Sequence, residues 1–407
     1  MHLTLRQKLG ATHSIDDLRD AARRRLPRML FDFMDGGAQT ESTVRENRAA
    51  LERIRLVPSA LAGVATRSQG LDLFGAKSTM PLIIGPTGFA AGFWARGDVA
   101  LARAAAKQGI PFVISMSSGS TLEDIGHAAP GTHWFQHYMP RDRERTKRLL
   151  PKLRDHGVDL IEVTVDTILP GRRLRDIRNG FSSPIVWTPR KVASVLAHPD
   201  WLVRTGRHGI PRMAIIEGES HAKKAANLSE VMRPHFDEAL SWDDIKWLRD
   251  QWPGKLLLKG VSDPRQLRPT MAAGLDGIVI SNHGGRQLDG AIATIDILPE
   301  FVRETGGRFP LLIDGGFRTG TDIVKALALG ATAVQVGRAT LYGLATAGEA
   351  GVSYALAILR AEIDLALAFC GIGDLTQLGR DSVRVASRYA IPDEIVVRPA
   401  GPKLVSG

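Results

Sequence analysis

Eight short apolar runs, each followed by a turn and a helical pattern, constrain this chain more than any other feature. They are Pro81 to Gly85, Pro111 to Ser115, His133 to His137, Leu160 to Val165, Lys255 to Lys259, Gly277 to Ser281, Pro310 to Asp314 and Thr332 to Val336. Most are continuous rather than alternating in polarity, which is how strands buried on both faces read. Amphipathic patterns such as Asp98 to Gln108 and Thr321 to Leu329 lie between them. Eight such units in series predict an α/β fold, a closed TIM (β/α)8 barrel. An open doubly wound sheet is the alternative. It wants a glycine-rich dinucleotide turn after its first strand, and no GxGxxG follows Gly85.

Two segments break the rhythm. Residues 1–75 precede the first strand as a helical extension packed on the barrel. A helix is expected from Ser14-Ile15-Asp16-Asp17, with Ser14 as N-cap, and a second from Leu26 to Met34, stopped by Gly36-Gly37. The barrel is assigned to residues 76–375 and a C-terminal tail to 376–407. The second break is the gap after the fourth strand, with an insertion at about 175–235. It interleaves Trp187, Trp201, Leu202 and Val203 with Arg190, Lys191, Arg204, Arg207 and Arg212. That mixture suits a membrane interface, and it suits equally a lid packed over the barrel mouth.

Charge and cysteine content narrow the setting. The formal charge is +10, yet the basic residues are scattered without a long run, which argues against a nucleic-acid partner. Cys370 is the one cysteine, so no disulfide forms within the chain, as in a reducing compartment. It sits in an apolar helical pattern and reads as inert packing. The start MHLTLRQKLG lacks a signal-peptide core, and no window supplies the ~18 apolar residues of a spanning helix. The expected location is cytosolic, or peripheral on the inner membrane face.

Polar residues collect where the strands end, which in a barrel is the catalytic face. They are Gln136 and Tyr138, Thr164 and Asp166, Lys259, Ser281-Asn282-His283, Asp314-Gly315-Gly316 and Gly337-Arg338. His283 can accept a proton near neutral pH. Arg286, three residues on, can fork onto a carboxylate. Gly284 and Gly285 permit a sharp turn and close ligand approach. A structural histidine at a turn is the plainer reading, but Arg286, Tyr138 and Arg173 share the same face. A base beside a carboxylate clamp is what oxidation of a 2-hydroxy acid requires. Asp314-Gly315-Gly316-Phe317-Arg318 and Gly337-Arg338, ending the last two strands, suggest a phosphate site. Lys259 could form a Schiff base, pair with a carboxylate or stabilise an anionic ring. No metal-ligand pattern is evident.

The stretches SNHGGRQLDG, IDGGFRTGTDIVKALALGA and VGRATLYGLA, with LPRMLFDFMDGGAQTE and TVDT, resemble the FMN-dependent L-2-hydroxy acid oxidase and dehydrogenase family. The likeness runs from about residue 14 to about 375 and leans toward the mandelate-dehydrogenase branch, through SWDDIKWLRDQWP and ATLYGLA. It implies FMN as cofactor, with roles position by position. His283 would be the base and Asp166 its partner. Arg173 and Arg286 would bind the substrate carboxylate, and Tyr138 would contact the hydroxyl end. Lys259 would face the flavin N1 and O2 edge. Pro86, Thr87 and Gly88 would lie along the ring, with Ser115, Gln136, Thr164 and Ser281 bonding the ring or ribityl. Asp314, Gly316, Arg318, Gly337 and Arg338 would hold ribityl and phosphate. The resemblance also implies a homotetramer and, from Gly88 and the basic insertion, electrons passed to a quinone or another carrier rather than to oxygen.

One position departs from the family pattern. Phe31-Asp32-Phe33 stands where a tyrosine-bearing motif is usual, so Phe33 offers no hydroxyl to the carboxylate, a loss of ~1 kcal/mol for a typical hydrogen bond. Phe33, Phe89 and Phe93 would suit a bulky or aromatic substituent, and each suits barrel-rim packing equally. A different alcohol or amine substrate on the same flavin chemistry, an oxygen-using oxidase, and a non-catalytic FMN-binding barrel remain alternatives. The last has no need of a base.

Overall fold

The computed structural model describes residues 9–10, 12–181, 186–209, 213–217 and 236–385. Expectations that fall on 1–8, 182–185, 210–212, 218–235 and 386–407 lie outside the described residues. These include Arg212, most of the second half of the insertion and most of the C-terminal tail.

All eight expected runs form strands. They are β4 (Leu82–Ile84), β5 (Phe112–Ser115), β6 (His133–Tyr138), β7 (Leu160–Thr164), β8 (Lys255–Val261), β9 (Gly277–Ile280), β10 (Leu311–Ile313) and β11 (Ala333–Val336). Each pairs in parallel with its neighbours, and β11 closes onto β4, giving a closed barrel. The open-sheet alternative is thereby excluded. The expected helices appear at Gly97–Gln108 and Gly320–Ala328.

Three β1–β3 strands precede the barrel: β1 (Ile54–Leu56), β2 (Leu71–Leu73) and β3 (Ala76–Ser78). The β2–β3 hairpin plugs the N-terminal end of the barrel. Leu73 packs there with Ile83, Val113, Trp134, Leu160, Leu257, Val279, Leu312 and Ala333, and Phe74 meets Trp134 edge to face at 5.7 Å. β12 (Val383–Val385) returns antiparallel onto β1, so the described part of the C-terminal tail is tied back to the N-terminal extension.

That apolar plug fixes the next layer. Side chains alternate along a strand, so the residue two positions on from each plug residue also faces inward. Those residues are Gly85, Ser115, Gln136, Glu162, Lys259, Ser281, Asp314 and Gln335. The barrel interior is apolar at its base and polar one layer up.

In the N-terminal extension, the helix Ile15–Arg25 starts on Ser14, whose side chain accepts from the Asp17 amide in a capping box. The second helix runs from Arg28 to Asp35 rather than from Leu26. Leu26 is extended and Pro27 occupies the N-cap, because the residue before a proline is pushed out of the helical region. Gly36 is extended and ends the helix. Leu18, Leu30, Phe31 and Met34 join the main core, so the extension is packed on the barrel. Cys370 is buried there too.

The described part of the insertion contains the helices Leu174–Asn179, Pro189–Leu196 and Pro199–His208. Trp201 Nε1 donates to the Gly92 carbonyl at 2.9 Å, and the Arg204 guanidinium lies 3.5 Å from the centroid of the Trp94 ring. One face is therefore packed on the barrel mouth. The other leaves Val186, Trp187, Val192 and Leu196 exposed. Among the described residues no helix is long and apolar enough to cross a membrane.

Candidate active site

The C-terminal ends of the strands open into a cavity of about 920 Å³. His283 reaches it from a turn after β9 in which His283, Gly284 and Gly285 all have positive φ (55°, 61° and 75°). The turn is held from behind. The His283 amide donates to Ser281 Oγ at 3.0 Å, and the Gly285 amide donates to Asn282 Oδ1 at 3.2 Å. Asn282 in turn exchanges two amide hydrogen bonds with Asn47, at 3.0 and 2.8 Å. The glycine pair was expected to admit a ligand. At Gly285 the close neighbour is instead Val44, whose Cγ2 would lie 2.8 Å from an added Cβ. The N-terminal extension, not a substrate, demands that glycine.

His283 Nδ1 lies 3.0 Å from Asp166 Oδ1. With the Nδ1 proton donated to the carboxylate, Nε2 is left to accept a proton. Burial acts to raise the Asp166 carboxyl, but the charge and hydrogen bond of His283, then Lys259 and the Thr167 hydroxyl, outweigh it and hold it below its ordinary value. Tyr138 is pushed up to about 12 by burial and by the nearby Asp166, so its phenol stays a hydrogen-bond donor.

Arg173 and Arg286 line the same cavity. Arg286 Nη1 donates to the carbonyls of Phe33 and Gly36, both at 2.8 Å. Burial and the neighbouring charges of Arg173 and Arg338 hold its guanidinium well below its ordinary value. Arg173 pairs with Asp176 at 2.6 Å. Buried cations in excess of nearby carboxylates call for an anionic ligand. Phe33, Phe89, Phe93 and Phe181 pack ring against ring on this side, with Phe33 and Phe181 centroids 4.8 Å apart.

On the barrel side, Lys259 is fully enclosed and forms an ion pair with Asp314. Burial acts to lower its ammonium, but Asp314, Glu162 and Asp166 outweigh it and raise it above its ordinary value. It is a charged amine, paired with a carboxylate, which removes the Schiff-base reading: a nucleophilic amine must be free of its proton. Arg318 Nη2 donates to the Tyr342 hydroxyl at 3.0 Å. Arg338 donates to the carbonyls of Met34, Gly284 and Gly36.

The lining residues suit the expected FMN. Thr87 Oγ1 and Asp314 Oδ1 are buried without a hydrogen-bond partner among the described residues, and both residues line the cavity. Buried polar atoms of that kind await a ligand. Pro86, Gly88, Ser115, Gln136, Thr164, Gly316, Gly337 and the cations Lys259, Arg318 and Arg338 line it as well. At Gly88 an added Cβ would approach Ser117 Cβ to 3.1 Å. This set offers hydroxyl and amide partners together with three cations, which suit a ring, a polyol and a phosphate.

Two of the expected residues sit behind the cavity rather than on it. Asp166 acts through His283. Ser281, expected to bond the ring or ribityl, is fully buried and supports the His283 turn. Sequence reading missed Met213 and Phe236 on the lining, Phe181 packed against Phe33 and Phe89, and Glu162 and Gln335 in the polar layer. The last two were legible: both stand two residues beyond an inward-facing plug residue.

Over residues 22–385 the chain matches the model of the FMN-dependent dehydrogenase family. It is 42% identical over 368 residues to (S)-mandelate dehydrogenase of Pseudomonas putida, covering 90% of this chain and 93% of that one. It is 39% identical over 375 residues to an L-lactate dehydrogenase of Yersinia pestis (strain Pestoides F), covering 91% and 98%. Its structure resembles that of the monotopic membrane protein (S)-mandelate dehydrogenase, with a TM-score of 0.88, 41% identity and coverage of 92% and 100%. A mandelate oxidase is more distant, at a TM-score of 0.75, 35% identity and coverage of 90% and 96%. With the expected cradle present and the likeness spanning nearly its whole length, the chain belongs to the FMN-dependent dehydrogenase family and takes FMN as its cofactor.

Proposed function

We propose that this chain oxidises an L-2-hydroxy acid with a bulky or aromatic side chain to the corresponding 2-keto acid. The observation that carries the reading is the placing of Arg173 and Arg286 and the His283–Asp166 pair on one cavity, beside the cluster of Phe33, Phe89, Phe93 and Phe181. Arg173 and Arg286 bind the substrate carboxylate, meeting the unbalanced positive charge. The phenylalanines receive the side chain by apolar and ring contacts. His283 Nε2 takes the hydroxyl proton, and Asp166 holds the resulting imidazolium. Tyr138 donates to the substrate oxygen while that charge develops. Bound FMN supplies the two-electron acceptor. Lys259 keeps a positive charge at the cavity floor.

Anaerobic addition of substrate to the purified yellow protein tests this. The (S)-isomer of mandelate is expected to bleach the flavin bands faster than L-lactate, and the (R)-isomer not at all. Bleaching by lactate alone would remove the aromatic reading, and bleaching by no 2-hydroxy acid would move the substrate elsewhere.

The acceptor follows from the insertion. Its exposed Val186, Trp187, Val192 and Leu196, beside Arg190, support peripheral binding to the inner membrane face and delivery of electrons to a quinone there. Stoichiometric hydrogen peroxide under air would contradict it. The assembly proposed is a homotetramer, checked by light scattering of the detergent-solubilised protein.

A further inference from the structure

The polar layer of the barrel holds an acid that this reaction does not use. Glu162 is central on β7 and entirely buried. Alternation along the strand points it inward, between Leu160 in the apolar plug and Thr164 on the cavity. Its Oε1 accepts a hydrogen bond from the Gln335 amide. Its Oε2 has no partner among the described residues. The charged groups that act on it are Lys259 from β8 and Asp314 from the end of β10. Asp166, at the end of its own strand, acts on Lys259 and is itself paired with His283. Gln136, opposite it in register on β6, is uncharged and donates to Thr164 Oγ1 at 3.1 Å.

Glu162, Gln335, Lys259 and Asp314 are therefore one connected patch contributed by four strands. Lys259 Nζ pairs with Asp314 and donates to Gln335 Oε1 at 3.3 Å, and the other end of the same amide donates to Glu162. The Gln335 amide can bridge the two only in this orientation. Lys259, Asp314 and Gln335 line the cavity, whereas Glu162 lies beneath it. With Glu162 ionised, two carboxylates share one ammonium at the cavity floor. With Glu162 protonated, the patch is neutral. Burial pushes the Glu162 carboxyl up to about 7, against the opposing pull of Lys259, so both forms are accessible near neutral pH.

We propose that Glu162 is a charge-setting residue for the bound FMN. By holding or releasing a proton it changes the net charge under the cavity floor, and so changes how strongly the site favours the reduced, more negative cofactor. It makes no bond to the cofactor; the carboxyl exchanges its proton with solvent. The inference rests on the family cofactor and not on the choice of substrate, so it survives if mandelate proves to be the wrong acid.

The test is the midpoint potential of the FMN-loaded protein, measured by mediated spectroelectrochemistry from about pH 5.5 to about pH 9, for the wild type, Glu162→Gln and Gln335→Met. The wild-type potential is expected to fall through an additional step that begins near neutrality, where reduction draws a proton onto Glu162. Glu162→Gln is expected to follow the wild type at the acid end, to lack the step, and to lie above it at the alkaline end. Gln335→Met, which cuts the bridge, is expected to shift the step along the pH axis. A Glu162→Gln curve that matches the wild type throughout, or is offset equally at every pH, would overturn the proposal. Should Glu162→Gln fail to accumulate with FMN, infrared spectra of the wild type and Gln335→Met decide. A protonated-carboxyl stretch that is lost toward the alkaline end and is displaced in Gln335→Met, which removes the hydrogen bond to Glu162 and leaves the buried Asp98 alone, supports the proposal; a titrating stretch that Gln335→Met does not displace, or none at all, refutes it.

Discussion

Arg286 meets Phe33 twice: its Nη1 donates to the Phe33 carbonyl at 2.8 Å, and its guanidinium carbon lies 5.1 Å from the centroid of the Phe33 ring. Arg173 lies 5.5 Å from the same centroid. The Phe33 ring thus stays in contact with both arginines proposed to bind the substrate carboxylate. Cation–π contacts contribute about 0.5–2 kcal/mol each, depending on how far the cation is removed from water. Phe33→Leu removes both, together with the contacts to Phe89, Phe93 and Phe181. The KM for an aromatic 2-hydroxy acid is expected to rise about tenfold, about 1.4 kcal/mol, with kcat changed far less, the pattern of lost uniform binding. Phe33→Tyr keeps the ring and is expected to stay within about threefold of the wild type. Steady-state kinetics with an artificial acceptor read both.

The 3.0 Å contact between His283 and Asp166 is expected to matter for rate rather than for cofactor binding. His283→Asn removes the proposed base, and anaerobic flavin reduction should slow by about 10²–10⁴-fold or more. Asp166→Asn keeps the shape but loses the negative charge facing the imidazole, and should slow the same step by on the order of 10²-fold or more. Both variants should retain FMN, since neither side chain belongs to its proposed cradle. Stopped-flow reduction alongside flavin content checks this, and loss of FMN with unchanged rate per flavin would contradict it.

The barrel was legible because most strands carry a continuous apolar run and most end on a polar residue. The site was legible where a polar residue follows such a run, as at Lys259, His283 and Arg338. Glu162 escaped because it stands inside its run, and its meaning appears only with the period-two count from Leu160. The second helix starts later than its apolar pattern suggests because Pro27 forces Leu26 out of the helical region. Phe181, Met213 and Phe236 come from the irregular insertion and its flank, where no periodicity says which way a side chain points.

Asp35 joins the extension to the barrel. Its carboxylate takes Arg19 in two hydrogen bonds of 2.6 and 2.7 Å, Arg175 at 3.0 Å and the Tyr342 hydroxyl at 2.7 Å. Burial opposes its charge, but these partners hold the carboxyl well below the usual range. A depressed carboxyl stabilises the fold above its unfolded value and loses that contribution as pH falls toward its folded value. The wild type is therefore expected to lose stability as pH drops below about 4. Asp35→Asn deprives the half-buried Arg19 and Arg175 of their shared carboxylate and should cost about 1.5–3 kcal/mol at neutral pH, the range of a hydrogen bond to a charged group, while removing this part of the acid dependence. Urea unfolding at several pH values reads both effects.

The exposed face of the helix Pro189–Leu196 is expected to hold the protein on lipid. Val186, Trp187, Val192 and Leu196 are exposed there, while Val195 is buried. Replacing Trp187 and Leu196 by serine removes apolar contact without disturbing the Trp201–Gly92 hydrogen bond on the packed side. Sedimentation with anionic vesicles should fall severalfold, with flavin reduction by substrate unchanged. Equal sedimentation of variant and wild type would leave the membrane reading without support from this helix.

Glu162 should impose a pH dependence opposite in sign to that of Asp35. Its carboxyl is raised from an ordinary 4.5 to about 7, chiefly by burial. A raised carboxyl contributes its stability fully below the unfolded value and loses it as pH rises through the folded value. Between pH 5 and pH 8 the loss amounts to a few kcal/mol, at about 1.4 kcal/mol for each tenfold change in proton affinity. Lys259 does not cancel this, because it is raised from an already high value and stays charged across the window. Glu162→Gln keeps the shape and the Gln335 contact without the titration. Its stability relative to the wild type should therefore improve by about that amount from pH 5 to pH 8 in urea unfolding. A relative stability that stays flat over this window would mean that Glu162 keeps its charge throughout, with Lys259 compensating it fully.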